Sequence, residues 1–461
     1  MNSKINLSSF SLISFQRLTG NLLFVVLFIY SIVYAVERVT YIDSAWLFFQ
    51  RVNTEAFSSS PERFSAFISE IPLYIAIKLH LPFKVLVYIF SAGYILLFYF
   101  VWRICTYKLN NPVASLVILL GLTLGIRELF LFTVTETHQC VVYSALFFAL
   151  IEFDFKKRNG LKYLLICIMA IIVMFTHPLG IFTLGFILLY YFAQRRNLKD
   201  PIIWMVAFII ILVSLVNMLY TVSHITSSPY SALQDHGFAL SSIIHSSVLD
   251  FLRIHFIHFY WLPELAGLIA IAWLINRREW LKLLILVLSV IVYLVIASKT
   301  YSTGDSSIMI ERLFLPAIFM INLVLAALIM QQQNLNKWIP MALIIFLLVN
   351  GIHYINGGCL MYKKRTAYLD KIVMEGMAQG NDKYFLTDEK ADKERILVPW
   401  AFGAETIIYS KFKYDRCIAF WINEPACEIN SCIITPQVCL PVEELNQSYF
   451  HLNAGAYIEL K

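Results

Sequence analysis

An aspartate shortly after the first strongly apolar stretch has the side chain best placed for chemistry. Asp43 comes seven residues after Val36, where that stretch ends. A carboxylate at the surface of a membrane can take the proton of an acceptor hydroxyl while a sugar leaves a lipid phosphate. It can also hold a metal ion that shields the leaving phosphate. The alternative is that Asp43 only caps a helix beginning at Ser44, since Asp is a good cap residue.

A second polar group interrupts the apolar sequence further along the chain. Glu136 and His138 follow Thr133 and Thr135 in a short turn between two apolar stretches. Polar side chains this close to hydrocarbon are costly unless they face a cavity. Glu136 and His138 are therefore candidates for lining a substrate pocket, and the alternative is a solvated turn.

An arginine begins a late apolar stretch in Glu311-Arg312-Leu313-Phe314-Leu315-Pro316. A guanidinium stays charged and binds two oxygens of a phosphate at once, so Arg312 is a candidate phosphate ligand. The alternative is an anchor at the membrane surface, paired with Glu311.

Four weaker candidates complete the predicted substrate-binding set. Glu37 and Arg38 flank the end of the first apolar stretch, where the alternative is an interface anchor. Glu70 has an apolar setting before Ile71 and is either exposed or functional. His177 lies in a tight turn, where a hydrogen-bonded structural role is the alternative. Each candidate is weak alone, but all are expected on one face of the protein.

The composition identifies the solvent in which these residues work. Of 461 residues, 59% are hydrophobic and 14% charged, and the mean hydropathy is +0.71. A soluble domain carries about 25% charged residues, so this chain cannot cover itself with polar surface in water. Soluble enzymes and nucleic-acid-binding proteins are excluded. The absence of a G-x-x-x-x-G-K-[ST] motif argues against an ATP-driven pump.

Apolar runs predict an all-α polytopic membrane protein, because a span needs about 20 residues. We count about eleven runs. They centre on residues 18–36, 84–102, 113–126, 138–153, 163–176, 179–193, 201–222, 264–276, 280–297, 313–330 and 338–356.

The distribution of Lys and Arg predicts the orientation. One set of loops carries fifteen basic residues and the alternate set nine, so the first set, with the N-terminus, is expected in the cytoplasm. An odd number of spans then places the C-terminal segment outside. The basic residues Lys363, Lys364 and Arg365 do not fit this orientation, because they follow the last span on the side predicted to be external. If that span is not real, the C-terminal segment is cytoplasmic.

Two domains are expected, a transmembrane domain over 1–356 and a soluble external domain over 357–461. External loops at 37–83, 223–263 and 298–312 would carry the function, with amphipathic helices on the membrane surface in the first loop. Strand-like runs at 395–398, 406–409 and 417–421 predict a small α+β or mostly β C-terminal domain.

Five of the eight cysteines fall in the C-terminal segment. Their density suits an oxidising compartment and one or two disulfides, and the odd number leaves at least one thiol free. The spacings do not match the Cys-x-x-Cys pattern of a zinc site. The five are Cys359, Cys417, Cys427, Cys432 and Cys439.

The layout of residues 18–330 resembles the GT-C class of polytopic glycosyltransferases, which use polyprenyl-phosphate-linked sugars. In that class a first span is followed by a long external loop with an Asp near the span end and two surface helices. The motifs that carry the resemblance are Tyr41-Ile42-Asp43-Ser44-Ala45-Trp46, Thr135-Glu136-Thr137-His138, Phe175-Thr176-His177-Pro178-Leu179-Gly180 and the Arg312 segment.

The resemblance implies a membrane glycosyltransferase of the cytoplasmic (inner) membrane that moves a sugar from a polyprenyl-phosphate donor to a lipid, glycan or protein acceptor on the external face. Asp43 would be the catalytic carboxylate or a metal ligand, and Arg312 would bind phosphate. No second acid adjoins Asp43, so the Asp-x-Asp pair of some members is missing and a divalent metal ion stays open. The oligosaccharyltransferase Trp-Trp-Asp signature is absent too.

Two other functions remain open from the sequence. A transporter or flippase of lipid-linked sugars would need charges near the middle of its spans, and span centres here hold almost none. A glycan polymerase or ligase would need Arg and His in a late external loop, where Arg253, His255 and His258 occur. The two histidines could also bind a metal ion if a third ligand joined them.

Overall fold

The computed structural model is mostly helical, at 76% of the residues it describes, with a small sheet. It describes residues 11–57, 61–133, 135–156, 159–223, 260–300, 307–331, 336–392, 394–396, 398–422, 432–434, 439–453 and 455–460. His255 and His258 lie outside these ranges.

The helices are numbered here in chain order. Around the first loop they are α1 Leu12–Val33, α2 Ala35–Val39, α3 Asp43–Thr54 and α4 Ile71–Lys78. The middle of the chain forms α5 Phe83–Arg103, α6 Pro112–Gly121, α7 Glu136–Glu152, α8 Asn159–Thr176, α9 Gly180–Arg195 and α10 Pro201–Ser223. The last part forms α11 Trp261–Asn276, α12 Trp280–Thr300, α13 Ser307–Met330, α14 Trp338–Gln379 and α15 Phe402–Tyr414.

Each of the eleven predicted apolar runs coincides with one of these helices, α1 or α5 to α14. Within the described ranges, six helical segments are long and apolar enough to cross a membrane. They are Leu12–Val33, Phe83–Lys108, Asn159–Thr176, Trp280–Ser298, Glu311–Met330 and Trp338–Gln379. These segments support a multi-pass membrane protein, and the count of eleven spans stays a prediction.

Helix α13 lies at the centre of the bundle and packs against α6, α7, α9, α11 and α12. Helix α14 approaches the turn after α6 through two glycines on one face. A Cβ at Gly351 would lie 2.4 Å from the Cβ of Thr123, and one at Gly358 would lie 2.4 Å from the carbonyl oxygen of Arg127. Only glycine therefore allows this close approach of two backbones.

Helices are present in the first loop, as expected, with two differences, and their position at a membrane surface stays a prediction. The predicted second helix is a 3₁₀ segment, Pro61–Glu70, followed directly by α4, which carries Pro72 near its start. Asp43 is the first residue of α3 and not its cap, so the capping interpretation is wrong. Ile42 occupies the cap position with a φ of 39°.

The C-terminal segment is joined to the bundle by a continuous helix. Helix α14 runs for 42 residues, through the predicted domain boundary at residue 357. Beyond it, β1 Lys383–Leu386 lies between β2 Ala419–Ile422 and β5 Ile458–Glu459, and both pairings are parallel. Strands β3 Cys432–Ile434 and β4 Cys439–Pro441 form a separate antiparallel pair.

Two of the three predicted strands of this segment are wrong. In the run at 395–398, the described residues 395, 396 and 398 belong to no strand. Residues 406–409 belong to α15, the crossover helix between the parallel strands β1 and β2. A crossover between parallel strands usually needs a helix, whereas a run of four apolar residues does not distinguish helix from strand. The run at 417–421 overlaps β2 as predicted.

The C-terminal segment packs on the first loop. The ring of Phe450 lies 4.9 Å from that of Phe49 and 5.8 Å from that of Phe83. The Asn446 amide donates a hydrogen bond to the carbonyl of Val52 at 3.1 Å. This segment and Asp43 therefore lie at the same end of the helices, which we call the Asp43 end.

The structure describes the side chains of two of the five cysteines in the C-terminal segment. Cys359 and Cys417 are buried free thiols, Cys427 lies outside the described residues, and no side chain is described for the cysteines of β3 and β4.

In the basic run after the last predicted span, Arg365 is buried against Glu405, while Lys363 and Lys364 are exposed. Arg365 is thus the counterion of Glu405 inside the protein. Its charge therefore gives no information on the orientation of the chain in the membrane.

Candidate functional site

Three predicted site residues from separate helices meet at the Asp43 end. The guanidinium of Arg312 lies 3.6 Å from a carboxylate oxygen of Asp43 and 3.0 Å from one of Glu136. It also lies over the ring of Phe132, at 4.9 Å. The side chains of Arg312 and Glu136 are 11% and 14% exposed, whereas that of Asp43 is 38% exposed. Asp43 is therefore the member that a substrate reaches most easily.

Glu311 fixes the start of the helix that carries Arg312. Its fully buried carboxylate accepts hydrogen bonds from the backbone amides of Arg127, Glu128 and Leu129, at 3.1, 3.1 and 2.8 Å. The hydroxyl of Tyr260 donates a further bond to it. The carboxylate of Glu311 thus binds backbone amides, and the alternative in which Glu311 pairs with Arg312 is not the arrangement observed. Arg312 pairs with Asp43 and Glu136 instead.

The turn before Asp43 is held by the C-terminal segment. Glu405 of α15 is fully buried, contacts the buried guanidinium of Arg365, and accepts the Ile42 amide at 3.0 Å. Arg365 and Tyr362 of α14 both donate to the Thr40 carbonyl, at 3.4 and 2.8 Å.

These contacts stabilise an unusual backbone conformation. The φ of 39° at Ile42 is strained for a β-branched residue, and such conformations cost about 1–3 kcal/mol unless neighbours hold them. The hydrogen bond from the Ile42 amide to Glu405 is one such restraint. The position of Asp43 is therefore set by residues more than 300 positions away in the chain.

The turn before α7 is anchored to the same region. The Thr133 amide donates to the hydroxyl of Ser44 at 3.0 Å, and the hydroxyl of Tyr94 donates to the Thr135 carbonyl at 3.0 Å. Because Ser44 follows Asp43 and Thr135 precedes Glu136, these bonds tie the two carboxylates to one framework.

Glu70 lies in a second ion pair close to the cluster. It contacts Arg51 at 2.5 Å, and the two side chains are 6% and 5% exposed. Burial raises the pKa of Glu70, the guanidinium of Arg51 opposes that rise, and the charge of Glu136 adds to it. Glu70 therefore feels the charge of Glu136, although its own partner is Arg51.

Glu37 and Arg38 lie beneath the turn and outside the cluster. Arg38 is fully buried, donates to the hydroxyl of Ser91 at 2.9 Å and to the carbonyl of Phe130, and burial lowers its pKa to about 10. Burial raises the pKa of Glu37, which accepts a hydrogen bond from Thr366 at 3.3 Å. Both residues contact protein groups that pack α2 in place.

The structure does not bring the two histidines to Arg312. His138 is buried, contacts the Gly121 carbonyl at 3.1 Å through Nε2, and packs against the rings of Tyr94 and Phe98. His177 is buried too, and its Nδ1 accepts the amide of Leu179 at 3.1 Å, as in a structural turn.

Sequence reasoning missed the residues that position Asp43. Glu405 is a single acid in an otherwise apolar segment of α15, and Arg365 counted as an orientation signal. A buried charge in an apolar setting is itself a signal, because it needs a partner. The sequence contained that signal for Glu405 but gave no indication of its partners.

The cluster could hold a divalent cation only with additional ligands. Asp43 and Glu136 supply carboxylate oxygens, which suit Mg²⁺ or Mn²⁺. Within the described part of the chain, no group of three or more His, Cys, Asp or Glu side chains is arranged to hold a metal ion.

Comparison with known proteins found no relative of this chain. No protein-family model, no curated protein and no solved structure matches the chain.

Proposed function

We propose that this protein is a membrane glycosyltransferase that moves a sugar from a polyprenyl-phosphate donor to a lipid, glycan or protein acceptor. The observation that carries the proposal is the meeting of Asp43, Glu136 and Arg312 at one end of an apolar helical bundle. The finer features of the fold, about eleven spans in a GT-C-like arrangement with an external site, belong to the same proposal.

In the proposed reaction Asp43 is the general base. Its carboxylate takes the proton of the acceptor hydroxyl as the acceptor oxygen forms a bond to the anomeric carbon. The bond between that carbon and the phosphate oxygen breaks, and the bonding electrons leave with polyprenyl phosphate. The phosphate gains one negative charge, which the guanidinium of Arg312 stabilises.

The carboxylates around Arg312 give it a defined orientation before substrate binds. Its partner Glu136 is mostly buried, whereas Asp43 is more exposed and lies at the longer distance. A donor phosphate would therefore replace Asp43 at the guanidinium more easily than Glu136. Asp43 would then be released for the acceptor hydroxyl while Glu136 keeps Arg312 in place.

The placement of charges favours an enzyme over a transporter. In the six candidate spans the Asp, Glu, Lys and Arg side chains stand near the helix ends, except in the part of α14 that extends beyond the bundle. Transport of a charged lipid head group needs polar groups along a path through the bilayer. The cluster at Arg312 instead lies at one end.

The test is sugar transfer by purified protein in lipid vesicles with a panel of radiolabelled polyprenyl-phosphate sugars. We expect Asp43→Asn to lower transfer by about 10²-fold or more, as for loss of a general base. Asp392→Asn is the matched control, because Asp392 is an exposed acid of the C-terminal segment.

Other outcomes contradict the proposal in distinct ways. Unchanged transfer by Asp43→Asn would remove Asp43 from the mechanism. If polyprenyl-pyrophosphate sugars are added to the panel, transfer from these donors alone would favour a polymerase or ligase. Movement of a labelled lipid-linked sugar across the vesicle membrane without transfer would favour a flippase.

A further inference from the structure

The end of the bundle opposite Asp43 contains a cavity that the proposed reaction does not use. It has a volume of about 510 Å³, and a second cavity of about 380 Å³ shares Glu152, Gln194 and Gln331 with it. Glu136 and Glu152 are the first and last residues of α7, so the helix rise separates this cavity from the Arg312 cluster by roughly 24 Å. The cavity is therefore a separate site, at what we call the basic end.

Cations outnumber acids in the lining of the larger cavity. Two of its cations are paired: Arg195 lies 3.4 Å from Glu152, and Lys282 lies 2.5 Å from Glu279. The other two, Arg196 and Arg278, have no ion pair within the described residues. Two guanidinium groups on one cavity match a ligand with negatively charged oxygens, and phosphate is the group that guanidinium binds in two-pronged geometry.

Tryptophans place the mouth of the cavity at the membrane surface. Trp204 and Trp280, near the starts of α10 and α12, are 64% and 59% exposed. The indole N–H of Trp204 donates a hydrogen bond to the Leu198 carbonyl, which holds the ring near the start of α10. Exposed Trp side chains favour the depth of lipid head groups. Leu281 lines the cavity and directly follows Trp280 in the chain. A phosphate at the depth of the Trp280 side chain is therefore within reach of the cavity.

We propose that this cavity is a binding site for a phosphate ester, with Arg196 and Arg278 as the groups that bind the phosphate. The ester is the head group of an anionic lipid or a soluble phosphate, and both present the same charged oxygens. Arg195 and Lys282 complete the positive surface while their acids hold them in position. This site is independent of the sugar-transfer proposal.

The test is native mass spectrometry of the purified full-length chain in detergent, titrated with phosphatidylglycerol. We expect Arg196→Gln with Arg278→Gln to weaken binding by about tenfold or more, since each lost charged hydrogen bond costs more than a neutral one. The pair Lys108→Gln with Lys199→Gln removes the same charge from exposed positions at this end outside both cavities. That control should change binding by less than about twofold.

Additional measurements distinguish a lipid head group from a soluble phosphate and test the geometry of the guanidinium groups. Competition by millimolar inorganic phosphate or glycerol phosphate identifies a soluble ester as the ligand, and competition by lipid alone identifies a head group. Arg196→Lys with Arg278→Lys keeps the charge and should give an intermediate affinity. Equal weakening by the cavity and control pairs, or no weakening by either, would overturn the site. Equal melting temperatures of all variants without lipid confirm that they fold.

Discussion

The two ends of the helical bundle use charge in opposite ways. At the Asp43 end each described cation of the site contacts acids: Arg312 lies between Asp43 and Glu136, and Arg51 pairs with Glu70. At the basic end the cavity lining has more cations than acids, and two guanidinium groups have no described ion pair. The first end is organised by internal partners, whereas at the second we propose that the charges bind a phosphate ester.

This difference bears on which end can perform chemistry. A catalytic group must be held in position before the substrate arrives, because reorganisation during the reaction raises the barrier. The Asp43 end has such a framework in Glu311, Glu405, Arg365 and the backbone that they bind. The basic end is more exposed, which suits reversible binding.

The largest expected effect tests the framework around Arg312. Glu311→Leu removes the acceptor of three backbone amides, two of them buried, and each unsatisfied buried amide costs about 1–3 kcal/mol. We expect the free energy of unfolding to fall by about 5 kcal/mol, measured by denaturant titration in detergent. Glu311→Gln keeps one acceptor oxygen and should lose less. Equal losses for the two variants would contradict this account of Glu311.

The next effect tests the link between the C-terminal segment and Asp43. Glu405→Gln leaves the buried Arg365 without a charged partner, and breaking a buried pair costs about 3 kcal/mol or more. Replacing the pair by Arg365→Met and Glu405→Met should recover most of the stability. Because methionine offers the Ile42 amide no acceptor oxygen, sugar transfer by this double variant should stay low. Full recovery of transfer would show that Glu405 is only structural.

A smaller effect tests the packing of α14. Gly358→Ala places a Cβ against the Arg127 carbonyl, in the turn that binds Glu311, and we expect a loss of about 2 kcal/mol. Gly357→Ala is the control, because a Cβ there meets no atom within 4 Å. Melting temperatures of the two variants in detergent check the prediction, which equal values would contradict.

The smallest effect is expected at the basic end. Arg195 and Glu152 lie 3.4 Å apart with the arginine side chain 52% exposed, and exposed pairs contribute about 0–1 kcal/mol. Arg195→Gln should therefore leave the unfolding free energy almost unchanged. A loss comparable to that of Glu405→Gln would show that both ends are organised alike.

The sequence alone determined the class of protein and the position of most helices. Apolar runs locate α1 and α5 to α14, and within the described residues six of these helices are long and apolar enough to cross a membrane. It also singled out Asp43, Glu136 and Arg312, since polar residues next to long apolar runs are few. The prediction that His138 lines a substrate pocket had the same basis, yet its side chain is buried in the core against the Gly121 carbonyl.

Only the tertiary structure decided how these residues are held. Arg312 contacts Asp43 and Glu136 because Glu311 binds the turn at residues 127–129, and Asp43 is positioned because Glu405 binds Ile42. Such contacts join positions far apart in the chain, and hydrophobic periodicity carries no information about them. Periodicity records which face of an element is buried, whereas the partner of a buried charge depends on which elements pack together.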